Sequence, residues 1–228
     1  HIMRLAHSLW GYILEIFFAP VCIGCGKYLN SKTDKNILVC DVCFSGIPIY
    51  ETVFYGPRFT LAAVTSYNNN AIRKLVHAFK YKRFIGSTEV LDNLIEKYLN
   101  GMDLSELISK DAVIIPIPLH KKRLRERGFN QAEEIARILS SHLDLSVDTR
   151  VLSRVLDTPH QTTLRNRDER KKSVRNSFMV NEKSDIDGRS VVLVDDVYTS
   201  GATMSEAVRT LRKLGVKDIL GFVVAKTV

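Results

Sequence analysis

Two adjacent carboxylates followed at once by a hydroxyl-rich turn make up the most chemically suggestive stretch of the chain. It reads Val191-Val-Leu-Val-Asp-Asp-Val-Tyr-Thr-Ser-Gly-Ala-Thr203. Neighbouring carboxylates such as Asp195 and Asp196 can accept hydrogen bonds from the vicinal hydroxyls of a sugar. The turn that follows, Thr199, Ser200, Gly201, Ala202 and Thr203, offers hydroxyls and successive backbone N–H groups. Gly201 lets an anion approach the backbone closely, and a helix starting there turns its positive end toward a phosphate. Diol acceptors and a phosphate cradle a few residues apart match opposite ends of one ribose 5-phosphate. A glycine turn alone would not select this reading, because an ordinary strand–turn–helix with a surface acidic pair can contain one. The acidic pair and the Thr/Ser/Gly turn together do select it, with Asp195 and Asp196 as the candidate catalytic residues.

A second constellation is made of sulfur. The chain has four cysteines, and all fall in Cys22-Ile-Gly-Cys25 and Cys40-Asp-Val-Cys43. Two CxxC pairs on tight turns can place four thiolates around one zinc ion, with no position left for a catalytic water. Such a zinc is structural. Two disulfides or unrelated core cysteines are the alternative. A metal site in a reducing compartment places the protein in the cytoplasm.

The formal net charge is +8, which favours an anionic partner without choosing among metabolite, nucleic acid and acidic lipid. Its placement says more. Lys121, Lys122, Arg123, Arg125 and Arg127 form one knot, and residues 165–175 hold another. Either is a solvated face unless something anionic docks there.

The elements that must position these groups follow from apolar periodicity. Residues 59–67 read as a strand, and Ile72, Leu75, Val76 and Phe79 share a helical stripe, as do Val90, Leu91, Leu94, Ile95 and Tyr98. Residues 112–118 read as a buried strand backed by a helix bearing Ala132, Ile135, Ala136 and Leu139. Val191-Val-Leu-Val194 is a second buried strand, ending just before the acidic pair. A helix with Ala207, Val208, Leu211 and Leu214 follows, stopped by Gly215, and residues 219–225 supply a last strand. Alternating strands and helices, with strands that are apolar runs, predict an α/β fold: a parallel sheet covered by helices on both faces. Ligands of such sheets bind at the carboxyl ends of the strands, where residues 195–203 fall. Residues 1–52 are expected to form an N-terminal helix and the four-cysteine module, and 53–228 the α/β domain, with a linker at 51–58. The N-terminal stripe Leu5, Leu9, Ile13, Ile16 and Phe17 reads as an amphipathic helix, interrupted by His7 and Glu15. It predicts packing or peripheral association at the inner membrane face rather than stable insertion.

The segment 191–203 closely resembles the phosphoribosyl-pyrophosphate motif of type I phosphoribosyltransferases. Upstream, Pro116-Ile-Pro-Leu-His120 and Arg123-Leu-Arg-Glu-Arg-Gly-Phe-Asn-Gln131 resemble the ComF competence-protein family. So do Thr158-Pro-His-Gln-Thr-Thr-Leu164, with Arg167, Arg170 and Val174 to Phe178, and the four-cysteine module. The resemblance spans nearly the whole chain and implies a type I phosphoribosyltransferase-like domain behind a small zinc-ribbon-like module. It implies that Asp195 and Asp196 hold the ribose hydroxyls and that 199–203 holds the 5-phosphate. It puts Lys121, Lys122 and Arg123 in the pyrophosphate-loop position, with Mg²⁺ bridging pyrophosphate and ribose oxygens. A mobile loop carrying Gln161, Arg167 and Arg170 would close over the substrate.

The same resemblance implies a role in DNA uptake during natural transformation, alongside DNA-uptake proteins. Arg125, Arg127 and an exposed Phe129 would then suit single-stranded DNA. The rival expectation is an active phosphoribosyltransferase that displaces pyrophosphate at the anomeric carbon. No segment reads as a nucleobase hood, and no N-terminal cysteine nucleophile suggests glutamine-dependent transfer.

Overall fold

The computed structural model of the chain describes residues 21–29, 38–81, 85–157 and 174–227. After a short helix α1 (Asp41–Ser45), strands β1 (Phe54–Tyr55) and β2 (Thr60–Ser66) lead into helices α2 (Asn70–Tyr81) and α3 (Ile85–Gly101). Next come β3 (Val113–Pro116), α4 (Lys121–Arg127), α5 (Gln131–Leu143), β4 (Ser146–Val147) and β5 (Leu152–Arg154). The chain resumes at β6 (Phe178–Val180), then β7 (Val191–Tyr198), α6 (Ala202–Leu211) and β8 (Ile219–Lys226).

Six strands form one sheet in the order β1-β2-β8-β7-β3-β4. All pairs are parallel except β1 with β2. β7 lies in the middle with β3 in register beside it, Val113 opposite Val191 and Pro116 opposite Val194. From β3 the chain crosses through α5 to β4 on one side, and from β7 it crosses through α6 to β8 on the other. Connections that diverge from adjacent parallel strands open a crevice at their carboxyl ends, which is where such folds bind ligands.

Each face of the sheet has its own core. On one, Ile72 and Leu75 of α2, Leu91 and Leu94 of α3 and Ile135 and Leu139 of α5 are fully buried. On the other, Met204, Ala207, Val208 and Leu211 of α6 cover Leu193 and Val223. The apolar stripes expected for these helices are therefore the buried ones. Gly215, at φ 72°, ends a 3₁₀ turn (Arg212–Leu214) that prolongs α6.

Two expectations change. β7 runs to Tyr198, so Asp195 and Asp196 lie within the strand rather than after it: Asp195 pairs opposite Val223 of β8, and the ladder continues to Tyr198 opposite Lys226. Residues 51–58 are not a free linker, because Phe54 and Tyr55 pair with Leu61 and Thr60. Just before them, the Tyr50 N–H donates to the Val64 carbonyl and the Thr65 hydroxyl to the Pro48 carbonyl. The cysteine module shares the first core as well, with Cys22, Leu38, Val39 and Ile47 in the cluster that contains Ile72 and Leu75. Among the described residues no helix is long and apolar enough to cross a membrane.

Candidate phosphoribosyl site

A cavity of about 190 Å³ opens at the carboxyl ends of β3 and β7. Asp195, Asp196, Thr199 and Thr203 line one side, Arg123, Arg127 and Arg154 another, and Lys80 a third. Parallel pairing fixes the acidic pair there, and the chain then turns through 199–201 into α6. Gly201 caps that helix at φ 73°, a left-handed conformation where a side chain would be strained and would collide with the Tyr198 ring. Within the turn the Ala202 N–H reaches the Ser200 hydroxyl at 3.4 Å. Thr199 and Thr203 line the cavity and, with Gly201 and Ala202, a narrow cleft beside Asp195, while Ser200, Gly201 and Ala202 also border a separate groove.

The acidic pair is electrostatically asymmetric. Lys80, from the end of α2, sits 2.7 Å from Asp196 Oδ2. Burial pulls the Lys80 ammonium down, but the Asp196 carboxylate outweighs it and lifts the net value above the usual range. Asp195 accepts the Asp196 backbone N–H at 2.9 Å and feels the charges of Lys80 and Arg154 more weakly. Burial first, and the Asp196 charge second, push the Asp195 carboxyl up to about 7. A sugar diol donating to both carboxylates would relieve that strain, since hydrogen bonds to the charged form favour it.

The arginine side is built by the Gly128-Phe-Asn-Gln131 segment. Gly128, at φ 79°, ends α4 and donates to the Leu124 carbonyl. Asn130 caps α5 by accepting from the Ala132 N–H, and its amide donates to the Ile117 carbonyl just past β3, at 3.1 Å. Gln131 accepts from Arg127 Nη1 at 2.9 Å. These bonds fix α4 over the strand end so that Arg123 and Arg127 line the cavity. Arg154, at the end of β5, completes the set; burial, and then the charge of Arg123, pull its guanidinium below the usual range.

The other expected residues separate. Lys121, Lys122 and Arg125 are exposed on α4 and do not line the cavity. Lys122 lies 3.6 Å from Asp157, and Arg123, while lining the cavity, lies 3.7 Å from the same carboxylate. The 119–123 turn is thus the capped start of a helix, with the His120 side chain accepting from the Lys122 N–H. Phe129 is corrected outright. It is 8% exposed and packs edge-to-face on Phe79 at 5.6 Å, so it offers no stacking surface. Gln161, Arg167 and Arg170 lie outside the described residues, although the antiparallel β5–β6 pair brackets their segment. Lys80 and Arg154 were not foreseen. Lys80 adjoins an apolar stripe and Arg154 ends a three-residue strand, and neither belongs to a motif.

The four cysteine sulfurs lie within 4.8 Å of one another. A tetrahedral ion with metal–sulfur bonds of about 2.3 Å separates neighbouring sulfurs by about 3.8 Å. Cys25 Sγ and Cys40 Sγ are 3.8 Å apart, and all four cysteines are free thiols. Burial pushes the Cys22 thiol up, but N–H groups of the loop, led by that of Cys40, outweigh it and hold it near 6. The donor set fits a structural metal, and no disulfide joins these four cysteines.

A parallel sheet with an acidic strand end, a Thr/Ser/Gly turn and an opposed arginine wall defines a type I phosphoribosyltransferase-like protein. The phosphoribosyl transferase domain family matches residues 124–226, which takes in the last turn of α4, β7 and the whole 199–203 turn. Three relatives extend the likeness upstream. Competence protein F of Haemophilus influenzae is 28% identical over 212 residues, covering 90% of each chain. DNA utilization protein YhgH of Escherichia coli (strain K12) is 26% identical over 231 residues, 99% of this chain and 94% of that one. Competence protein ComFC of Bacillus subtilis is 29% identical over 155 residues, 64% of this chain and 56% of that one. The chain is thus similar over most of its length to competence and DNA-utilization proteins, with the phosphoribosyl transferase match lying behind a four-cysteine module.

Proposed function

We propose that the cavity binds phosphoribosyl pyrophosphate with Mg²⁺, and that the protein acts in DNA uptake and single-stranded DNA handling during natural transformation, in the cytoplasm. The observation that carries the first half is the convergence of Asp195, Asp196, Thr199 and Thr203 with Arg123, Arg127 and Arg154 around one cavity. Asp195 and Asp196 accept the ribose hydroxyls, the 199–203 turn receives the 5-phosphate, and the three arginines face the pyrophosphate. Arginine suits that task because its fork of donors matches phosphate oxygens. Mg²⁺, which prefers oxygen ligands, travels with the pyrophosphate and neutralises its charge. Zinc in the four-cysteine cluster holds the module together and takes no part in the pocket. The second half rests on relatives named for competence and DNA utilization.

Calorimetric titration of phosphoribosyl pyrophosphate with Mg²⁺ tests the pocket. Wild type should bind, and the double variant Asp195→Asn, Asp196→Asn should not. Absence of binding by wild type would reduce the motif to scaffold. If binding is found, pyrophosphate release on adding nucleobases or amines decides between a binding protein and an active transferase.

A further inference from the structure

Beyond the ribosyl pocket, a second concavity of about 750 Å³ lies against the opposite side of the 198–203 turn. The two share no lining residue, so Tyr198 and Ser200 to Ala202 are the wall between them. The second groove has the composition of a nucleic-acid surface. Tyr55, on the edge strand β1, is 78% exposed. Beside it stand Arg58, Arg175 and Lys226, the last with its ammonium 4.3 Å over the Phe54 ring. The carboxylate lining the groove, Glu206, is already neutralised by Arg209 at 2.7 Å. Cations outnumber the one carboxylate among the described residues lining the groove, and with the exposed Tyr55 ring beside them they attract a ligand that is both anionic and planar. Bases stack on such faces only when they are splayed from a duplex.

We propose that this groove binds single-stranded nucleic acid, with a base stacked on Tyr55 and phosphates held by Arg58, Arg175 and Lys226. The proposal rests on the DNA-handling reading above for its biological setting, but it assigns that task to a face other than α4. It is also independent of whether the ribosyl pocket is filled.

Fluorescence anisotropy of a labelled oligothymidylate with the full chain tests it. Wild type should bind at low salt, and affinity should fall steeply as salt rises. Tyr55→Ala should weaken binding by about 10-fold, the scale of one lost stacking contact. Tyr55→Phe should keep it. The pair Arg58→Glu, Arg175→Glu should abolish it, whereas Lys213→Glu, a charge reversal on the exposed turn after α6, should change it little. Asp195→Asn, Asp196→Asn should retain oligothymidylate binding whatever it does to phosphoribosyl pyrophosphate, so either proposal can fail alone. Absence of wild-type binding would overturn the inference, as would equal affinity for a duplex. A loss caused by Arg125→Glu with Tyr55→Ala silent would overturn it too, by moving the interface to α4.

Discussion

If Asp195 is strained in the free protein, removing its charge should stabilise the fold, and only above a definite pH. Its carboxyl is lifted from 3.8 to about 7 by burial and by the neighbouring Asp196 charge. Below pH 3.8 the group is protonated whether the chain is folded or unfolded, so nothing is lost. As pH rises, the unfolded chain ionises first, and the folded state loses stability progressively until Asp195 itself ionises near 7. Above that the loss is constant. About 3 units at ~1.4 kcal/mol each sets a ceiling near 4 kcal/mol. An effective dielectric well above that of a dry interior brings the expected effect to about 2 kcal/mol.

Asp195→Asn isolates this effect, because the amide oxygen can still accept from the Asp196 N–H, the bond Asp195 makes at 2.9 Å. Thermal unfolding of wild type and variant, without phosphoribosyl pyrophosphate, should be followed from pH 4.5 to 8. The gap between them should be smallest at the acid end. The variant should gain with pH and level off above 7, by about 4–8 °C for a domain of this size. A difference that is constant with pH, or a variant that melts lower throughout, would refute the account of the acidic pair.

Two further outcomes follow from packing and from the cysteines. Phe129→Ala removes a ring buried against Phe79 and should destabilise by about 3–5 kcal/mol in denaturant unfolding, while Arg125→Ala, on the exposed face of α4, should shift the midpoint little. Metal analysis should find one zinc per chain, and a chelator should unfold the module first; a preparation without zinc and with unchanged stability would remove the metal site.

The sheet was legible because its strands are apolar runs and its helices carry single stripes, so periodicity and burial agree from Ile72 to Val223. The 199–203 turn was legible because it is one contiguous segment. The opposed wall was not. Arg154 comes from β5, which lies outside the main sheet, and Lys80 from the end of α2, and only tertiary packing brings either to the cavity beside β7. Charge density in the sequence pointed to the whole 121–127 knot, but a helix presents successive residues around its circumference. Arg123 and Arg127, four residues apart, share the face toward the cavity, and Lys121, Lys122 and Arg125 do not. Phe129 was misjudged for a related reason. It follows the left-handed Gly128, which turns the chain back toward the core.

The Gly128-Phe-Asn-Gln131 segment then has a positioning role rather than a binding one. Gly128 ends α4, Phe129 locks the corner onto α2, Asn130 ties it to the carbonyl after β3, and Gln131 orients Arg127. The anchor on α2 matters because the same helix carries Lys80, which holds Asp196. It also begins against the cysteine loop, where Lys74 donates to the Gly24 carbonyl at 3.3 Å. One helix therefore touches the four-cysteine module, the arginine wall and the acidic side of the pocket. The cysteine module, distant in sequence from the 191–203 motif, is in this way part of what holds the pocket's geometry. That gives a physical reason for the two to share one chain.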